Sequence, residues 1–215
     1  MATGARWGIR TTTRMTTTTD LLRLAQWTGA GFPTSAYAYS HGLETAMAEG
    51  RVTDAAGVEA WTRDVLTRGT GPLDAWAIRG VMGGADPSTT GAFLQARAGA
   101  PERWAEARDM GTAFAATLGA EAHPLPVALG LAARGMDPET VVALHLQSLA
   151  AQIVQAAARF LPLGQSEAQA ILAALHDAIA AEAARRHDEP PGQGAWLAEM
   201  DALAHEGLQP RIFRT

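Results

Sequence analysis

Residues 137–186 read DPETVVALHLQSLAAQIVQAAARFLPLGQSEAQAILAALHDAIAAEAARR, and this stretch decides the fold. Asp137 can cap a helix that has Pro138 at its first position and Glu139 in its first turn. Val142, Leu146, Leu149, Ile153 and Ala157 then return at helical spacing until Pro162 stops the run. Ser166 with Gln169 forms a capping-box pair, which predicts a second helix with Ile171, Leu172, Leu175, Ala178 and Ile179 inward, ending near Arg186. Two long helices joined by so short a connection predict a helical hairpin with Leu161 and Leu163 buried at its corner.

The rest of the chain agrees with a helical reading. Its 215 residues include 47 alanines but only 14 valines and isoleucines, a balance that favours helix over sheet, and 47% hydrophobic content is enough to fill a core. The expectation is an all-α, single-domain bundle of roughly nine or ten helices over residues 20–205, with a disordered leader over 1–19 and an extended tail over 206–215. Asp20 is an acidic cap before Leu21, Leu22 and Leu24, in a helix that ends at Gly29. The run from Tyr37 to Glu44 leads into a helix ending near Gly50. Thr53 caps a helix carrying Val58, Trp61, Val65 and Leu66, and Pro72 opens another through Trp76 and Val81. Asp86-Pro87-Ser88 reads as a turn before a brief helix with Phe93 and Leu94. From Pro101 a longer helix puts Trp104, Gly111, Phe114 and Leu118 on one face, with Glu102, Glu106 and Asp109 facing away. Gly111 on the inner face permits close approach of another segment. The His123-Pro124-Leu125-Pro126 stretch ends that helix, another follows over about 127–134, and a last one runs from Trp196 to His205 after a Pro/Gly linker.

Missing residue types exclude whole chemistries. There is no cysteine, hence no thiol nucleophile, disulfide or thiolate metal site, and all 17 basic residues are arginine, which leaves no Walker-A phosphate loop and no Schiff base. A net charge of −5 argues against nucleic acid as a partner. No run of 18 apolar residues suggests a membrane span. The leader carries Arg6, Arg10 and Arg14, two threonine runs and no acid, and Met15 is a candidate for the true start.

Three constellations are candidates for enzyme chemistry. Gly164-Gln165-Ser166-Glu167-Ala168 falls one residue short of a nucleophile elbow and follows a helix and a proline instead of a strand, so Ser166 reads as a cap. His41, His123, His145, His176, His187 and His205 are scattered, with no two at the i, i+4 spacing of a helical zinc site. His187-Asp188-Glu189 beside the linker reads as solvated, and His41 with Glu44 at i, i+3 reads as a metal pair or as an exposed helix start. Trp61, Trp76 and Trp104 have core spacing. On the residues alone, a helical binding protein is favoured over an enzyme. The rival is an all-α enzyme or ligand-binding bundle with a tryptophan-lined pocket.

Three segments resemble the urease accessory protein F (UreF) family. The first is Leu21-Leu22-Arg23-Leu24 with Phe32-Pro33 and then Tyr37-Ala38-Tyr39-Ser40-His41-Gly42-Leu43-Glu44. The second is the joint Arg159-Phe160-Leu161-Pro162-Leu163-Gly164-Gln165, and the third is His205-Glu206 followed by Arg211-Ile212-Phe213. Thr34, Ser35 and Ala36 stand where the family usually has glycine, and Arg103 and Trp104 depart from its mid-chain pattern.

The resemblance implies a non-catalytic nickel-insertion chaperone of the cytoplasm. Such a protein is a homodimer that binds accessory protein D (called H in some organisms), recruits the GTPase accessory protein G, and docks on apo-urease. Nickel is then handled by the assembly and GTP by the GTPase, with no cofactor bound tightly by this chain. By the same resemblance Tyr37, Tyr39, Ser40, His41, Glu44, Arg211 and Phe213 are partner-binding residues, with the tail ordering when the D protein binds. Arg159, Pro162, Leu163, Gly164, Gln165 and Ser166 form the structural joint.

Overall fold

The long hairpin is the centre of the structure, a computed structural model that describes residues 16–215. Helix α8 (Pro138–Phe160) starts where Asp137 accepts a hydrogen bond from the Thr140 amide at 2.9 Å, and Leu161 leaves it in extended conformation ahead of Pro162. Helix α9 (Gln165–Ala184) packs back along it. Its cap is Gly164, whose amide donates to the Glu167 carboxylate at 3.1 Å. Ser166 is therefore not a cap: it lies exposed in the first turn, because Glu167 already reaches back to the chain at the helix entrance. Leu161 and Leu163 are half-buried at the corner, less than expected.

Around this hairpin stand α1 (Thr18–Thr28), α2 (Leu43–Ala48), α3 (Ala55–Arg68) and α4 (Thr70–Met82). Farther along come α5 (Pro87–Arg97), α6 (Pro101–Leu118), α7 (Leu125–Ala132) and α10 (Trp196–His205), with a 3₁₀ turn at Ala36–Ala38 and no strand among the described residues. The fold is all-α. Its main core runs from Leu24 and Leu43 through Val58, Leu66, Ile78, Leu146, Ile153 and Leu175. A second cluster of Leu73, Val81, Leu94 and Val127 takes Trp76, Phe93 and Trp104 against it. Trp61 belongs to the main core, so the three tryptophans fall into two clusters instead of facing one another across a pocket.

Several element starts differ from the expectation, always for a local reason. Residues 1–15, and with them most of the leader and the question of Met15, lie outside the described residues. The boundary at 19 moves, since Thr17 caps α1 by accepting from the Asp20 amide at 3.1 Å while Asp20 accepts from the Thr17 amide, also at 3.1 Å. Asp20 is the far side of the capping box and not the cap. Asp54, not Thr53, caps α3, and Asp86-Pro87 is the capped start of α5 instead of a free turn.

Gly111 does permit a close approach: a Cβ there would lie 1.9 Å from the His123 carbonyl oxygen. Leu118, at the end of α6, is exposed. Helix α8 is long and apolar enough to cross a membrane by length and composition, but most of it is buried here as the core helix of a bundle.

Candidate functional site

The loop before α2 and the tail after α10 are built as one unit. His41 (φ +56°) and Gly42 (φ +75°) are consecutive left-handed residues that turn the chain into α2. Gly42 has no substitute, because a Cβ there would meet the Ala198 carbonyl oxygen at 2.7 Å and the Ala202 amide nitrogen at 2.8 Å. The α2 entrance is thus pressed onto the backbone of α10. On the other side of the loop, the Ser40 amide donates to the Thr215 carbonyl at 2.9 Å and the Arg214 amide to the Ala38 carbonyl at 2.7 Å. The tail is not extended into solvent: Phe213 and Thr215 are buried.

Glu44, 1% exposed, explains why the tail folds back. Its carboxylate accepts from the Ile212 amide at 2.6 Å, the Phe213 amide at 2.9 Å and His205 Nε2 at 2.8 Å. A buried carboxylate needs several donors to replace water, and the tail backbone supplies two. His205 Nδ1 faces Glu102 at 2.6 Å, and the other Glu102 oxygen accepts from Arg211 at 2.6 Å. The expectation that Glu102 faces away therefore fails, as it does for Glu106.

Glu106 is 4% exposed and is the second hub. His41 Nε2 lies 2.8 Å from it, Gln152 donates at 2.7 Å, Thr215 Oγ1 donates at 3.1 Å, and Arg103 pairs with it from the preceding turn. Burial alone would raise its pKa, but the Arg103 charge and the His41 contact outweigh burial and hold it at about 2. Burial, aided by Arg103, pushes His41 below its ordinary value against the opposing pull of Glu106. His41 thus shares Glu106 with Arg103, whose guanidinium also lies 3.2 Å from His41 Nε2. Beyond it, His145 and Asp74 form a further buried pair at 2.8 Å, and a cavity of about 140 Å³ between Trp27, Phe32, Phe114 and His145 opens beside Tyr37.

Of the seven residues expected to bind partners, Tyr39, Ser40, His41, Glu44 and Phe213 lie inside the chain. They shape the surface rather than form it. Tyr37 is 68% exposed and Arg211 is exposed as well. Arg159, read as part of a structural joint, belongs to the same place: it donates to the Tyr37 carbonyl and stacks its guanidinium 4.8 Å from the centre of the Phe213 ring. Loop, joint and tail, far apart in sequence, meet at this arginine. On the other flank Arg214 donates to the Tyr39 hydroxyl at 3.2 Å and covers its ring.

Sequence reasoning missed Arg103, Glu106, Glu102 and Gln152. For Glu106 a signal existed, since it precedes Met110 and Phe114 by four and eight positions and so shares their inner face. His41 and Glu44 are neither an exposed helix start nor a two-residue metal site, since each is engaged with a different partner. Among the described residues no group of three or more His, Cys, Asp or Glu is placed to hold a metal ion. Next to the tail, α10 turns Trp196 (71% exposed), Leu197, Met200 and Leu203 outward, an apolar face on a short helix.

A family model described as UreF matches residues 52–176. A protein of Jannaschia sp. (strain CCS1) described as urease accessory protein UreF is 47% identical over 210 residues, which cover 92% of this chain and 96% of that protein. One of the same description from Cereibacter sphaeroides is 46% identical over 206 residues, covering 91% of this chain and 98% of that protein. Another from Roseobacter denitrificans is 35% identical over 218 residues, covering 95% and 98%.

Proposed function

The chain belongs to the UreF family of urease accessory proteins, with an accessory role in urease maturation rather than a catalytic one, and from that premise we propose a finer reading. It is a nickel-insertion chaperone of the cytoplasm that works as a homodimer, binds accessory protein D or H, and recruits the GTPase accessory protein G to apo-urease. GTP is the partner's ligand and nickel is cargo of the assembly, in keeping with a chain that has neither lysine nor cysteine.

The observation that supports this reading most is the presentation of Tyr37 and Arg211. Tyrosine and arginine are the residues that most often anchor protein interfaces. Here both stand exposed on a loop and a tail that are bonded to each other, with Arg159 holding the Tyr37 backbone and Glu102 holding the Arg211 side chain before any partner arrives. We assign them to the GTPase partner. The apolar face of α10, continuous in sequence with the tail, is assigned to the D or H protein.

Tyr37→Ala and Arg211→Ala test the reading. Both variants keep their helical signal and melting curve, because neither side chain is in the core, while pull-down of the GTPase and activation of urease in a reconstituted system are lost. A variant that activates urease as well as wild type removes its residue from the surface.

A further inference from the structure

Only one ring nitrogen of His41 is engaged by protein groups. Nε2 lies 2.8 Å from Glu106 and 3.2 Å from the Arg103 guanidinium, whereas Nδ1 is enclosed and has no hydrogen-bond partner among the described residues. Glu199 Oε2, on α10, is a second enclosed atom in the same condition. Buried polar atoms are costly to leave unmatched, so each of these two calls for a partner.

His41 and Glu199 line one cavity of about 10 Å³, with Thr70 and Arg103 as further polar neighbours and small or apolar walls from α3 and the start of α10. That is about the room one water molecule needs, and a water in such a place is held by roughly two to four polar groups. The backbone of Gly99 stands against Glu199 Oε2 from another side and limits where the carboxyl can turn.

The charges around the cavity select its occupant. Arg103, whose guanidinium also reaches Thr70 Oγ1 at 3.3 Å, puts positive charge beside it and disfavours a metal ion, while the Glu199 carboxyl disfavours an anion. A neutral imidazole carries its proton on one nitrogen or the other, so Nδ1 donates in one tautomer and accepts in the other. Water both donates and accepts, and it serves either tautomer.

We propose that this cavity is a binding site for one water molecule, which bridges His41 Nδ1 to Glu199 Oε2 and so joins the left-handed turn before α2 to α10. Gly42 already presses its backbone onto Ala198 and Ala202. The turn therefore meets α10 twice, by direct contact at Gly42 and through the water at His41. The loop that carries Tyr37 and the helix that carries the exposed apolar face are two sides of one hydrated junction.

A crystal structure of the full chain, at a resolution that shows ordered water, tests the site. One peak of water strength is expected within hydrogen-bond reach, about 2.7 to 3.2 Å, of both atoms. A cavity without density, a peak that refines as an ion, or His41 and Glu199 turned into direct contact overturns the proposal. In solution, magnetic relaxation dispersion of the water signal counts the long-lived waters held by the folded chain. Glu199→Leu removes Oε2 at similar volume and should lower that count by one. Glu199→Gln keeps a polar tip at the same place and should retain the wild-type count. Equal counts for wild type and a folded Glu199→Leu variant, or loss of the water from Glu199→Gln as well, overturns the bridge. Should Glu199→Leu fail to fold, the crystal structure and the Glu199→Gln count decide.

Discussion

Replacing Glu106 by Gln is the sharpest test of how this site is stabilised. The carboxylate is enclosed and receives His41, Gln152, Thr215 and Arg103. A glutamine keeps the shape but turns one acceptor into a donor, which then faces a donor, and it leaves the Arg103 guanidinium, 11% exposed, without its counter-charge. The magnitude can be worked from the carboxyl itself. Depression from 4.5 to about 2 amounts to about 3 kcal/mol, at about 1.4 kcal/mol for each tenfold change in proton affinity. That agrees with the roughly 3 to 5 kcal/mol lost when one partner of a buried ion pair is removed. Because the folded-state pKa lies below the unfolded one, this stability is fully present above about pH 4.5 and is lost as pH falls towards about 2. Denaturant unfolding of wild type and variant at neutral pH should therefore differ by about 3 kcal/mol, and the gap should close through the acid range. A gap of under about 1 kcal/mol at neutral pH, or one that stays constant down to about pH 2, refutes the reasoning.

Two further outcomes follow from the packing. Gly111→Ala places a methyl against three backbone atoms of residues 123–125, which cannot swing aside as a side chain can, so a loss of about 3 kcal/mol is expected in thermal unfolding. A melting temperature equal to wild type would show that the two segments are farther apart. Leu163→Ala should cost only about 1 to 2 kcal/mol, below the roughly 2 to 5 typical of a fully enclosed leucine, since the corner of the hairpin is half-open. A measured loss near 4 kcal/mol would mean that another surface covers that corner.

The hairpin was legible because everything that defines it is local: an aspartate, a proline and an acid at one end, apolar residues at helical spacing, and a proline at the other. Cap identity was less legible. Thr17 and Asp20 are the two halves of one box, and Gly164 owes its role to Glu167, so neighbouring candidates three positions apart compete on sequence alone. The site was visible only as isolated pieces. An acid on an amphipathic helix defaults to the solvent side, and the donors that make Glu106 and Glu44 tolerable inside come from residues far off in the chain, which no local periodicity records. The tail has no core of its own and looked extended for the same reason. Resemblance pointed to the loop, the joint with Arg159, and the tail, but as three separate segments and not as one place where they meet.

The bonds that tie Ser40 and Glu44 to the tail span about 170 positions. Closing so long a loop is slow, and it cannot begin until the tail has left the ribosome. Most of the helices can pack while synthesis continues, yet the loop around Tyr37 waits with its left-handed turn unsupported. The loop that carries Tyr37 is then among the last parts of the described residues to take its final form, and it does so only on a chain that carries residues 211–215. A prematurely terminated product would keep much of the helical body but lack the tail that steadies Tyr37.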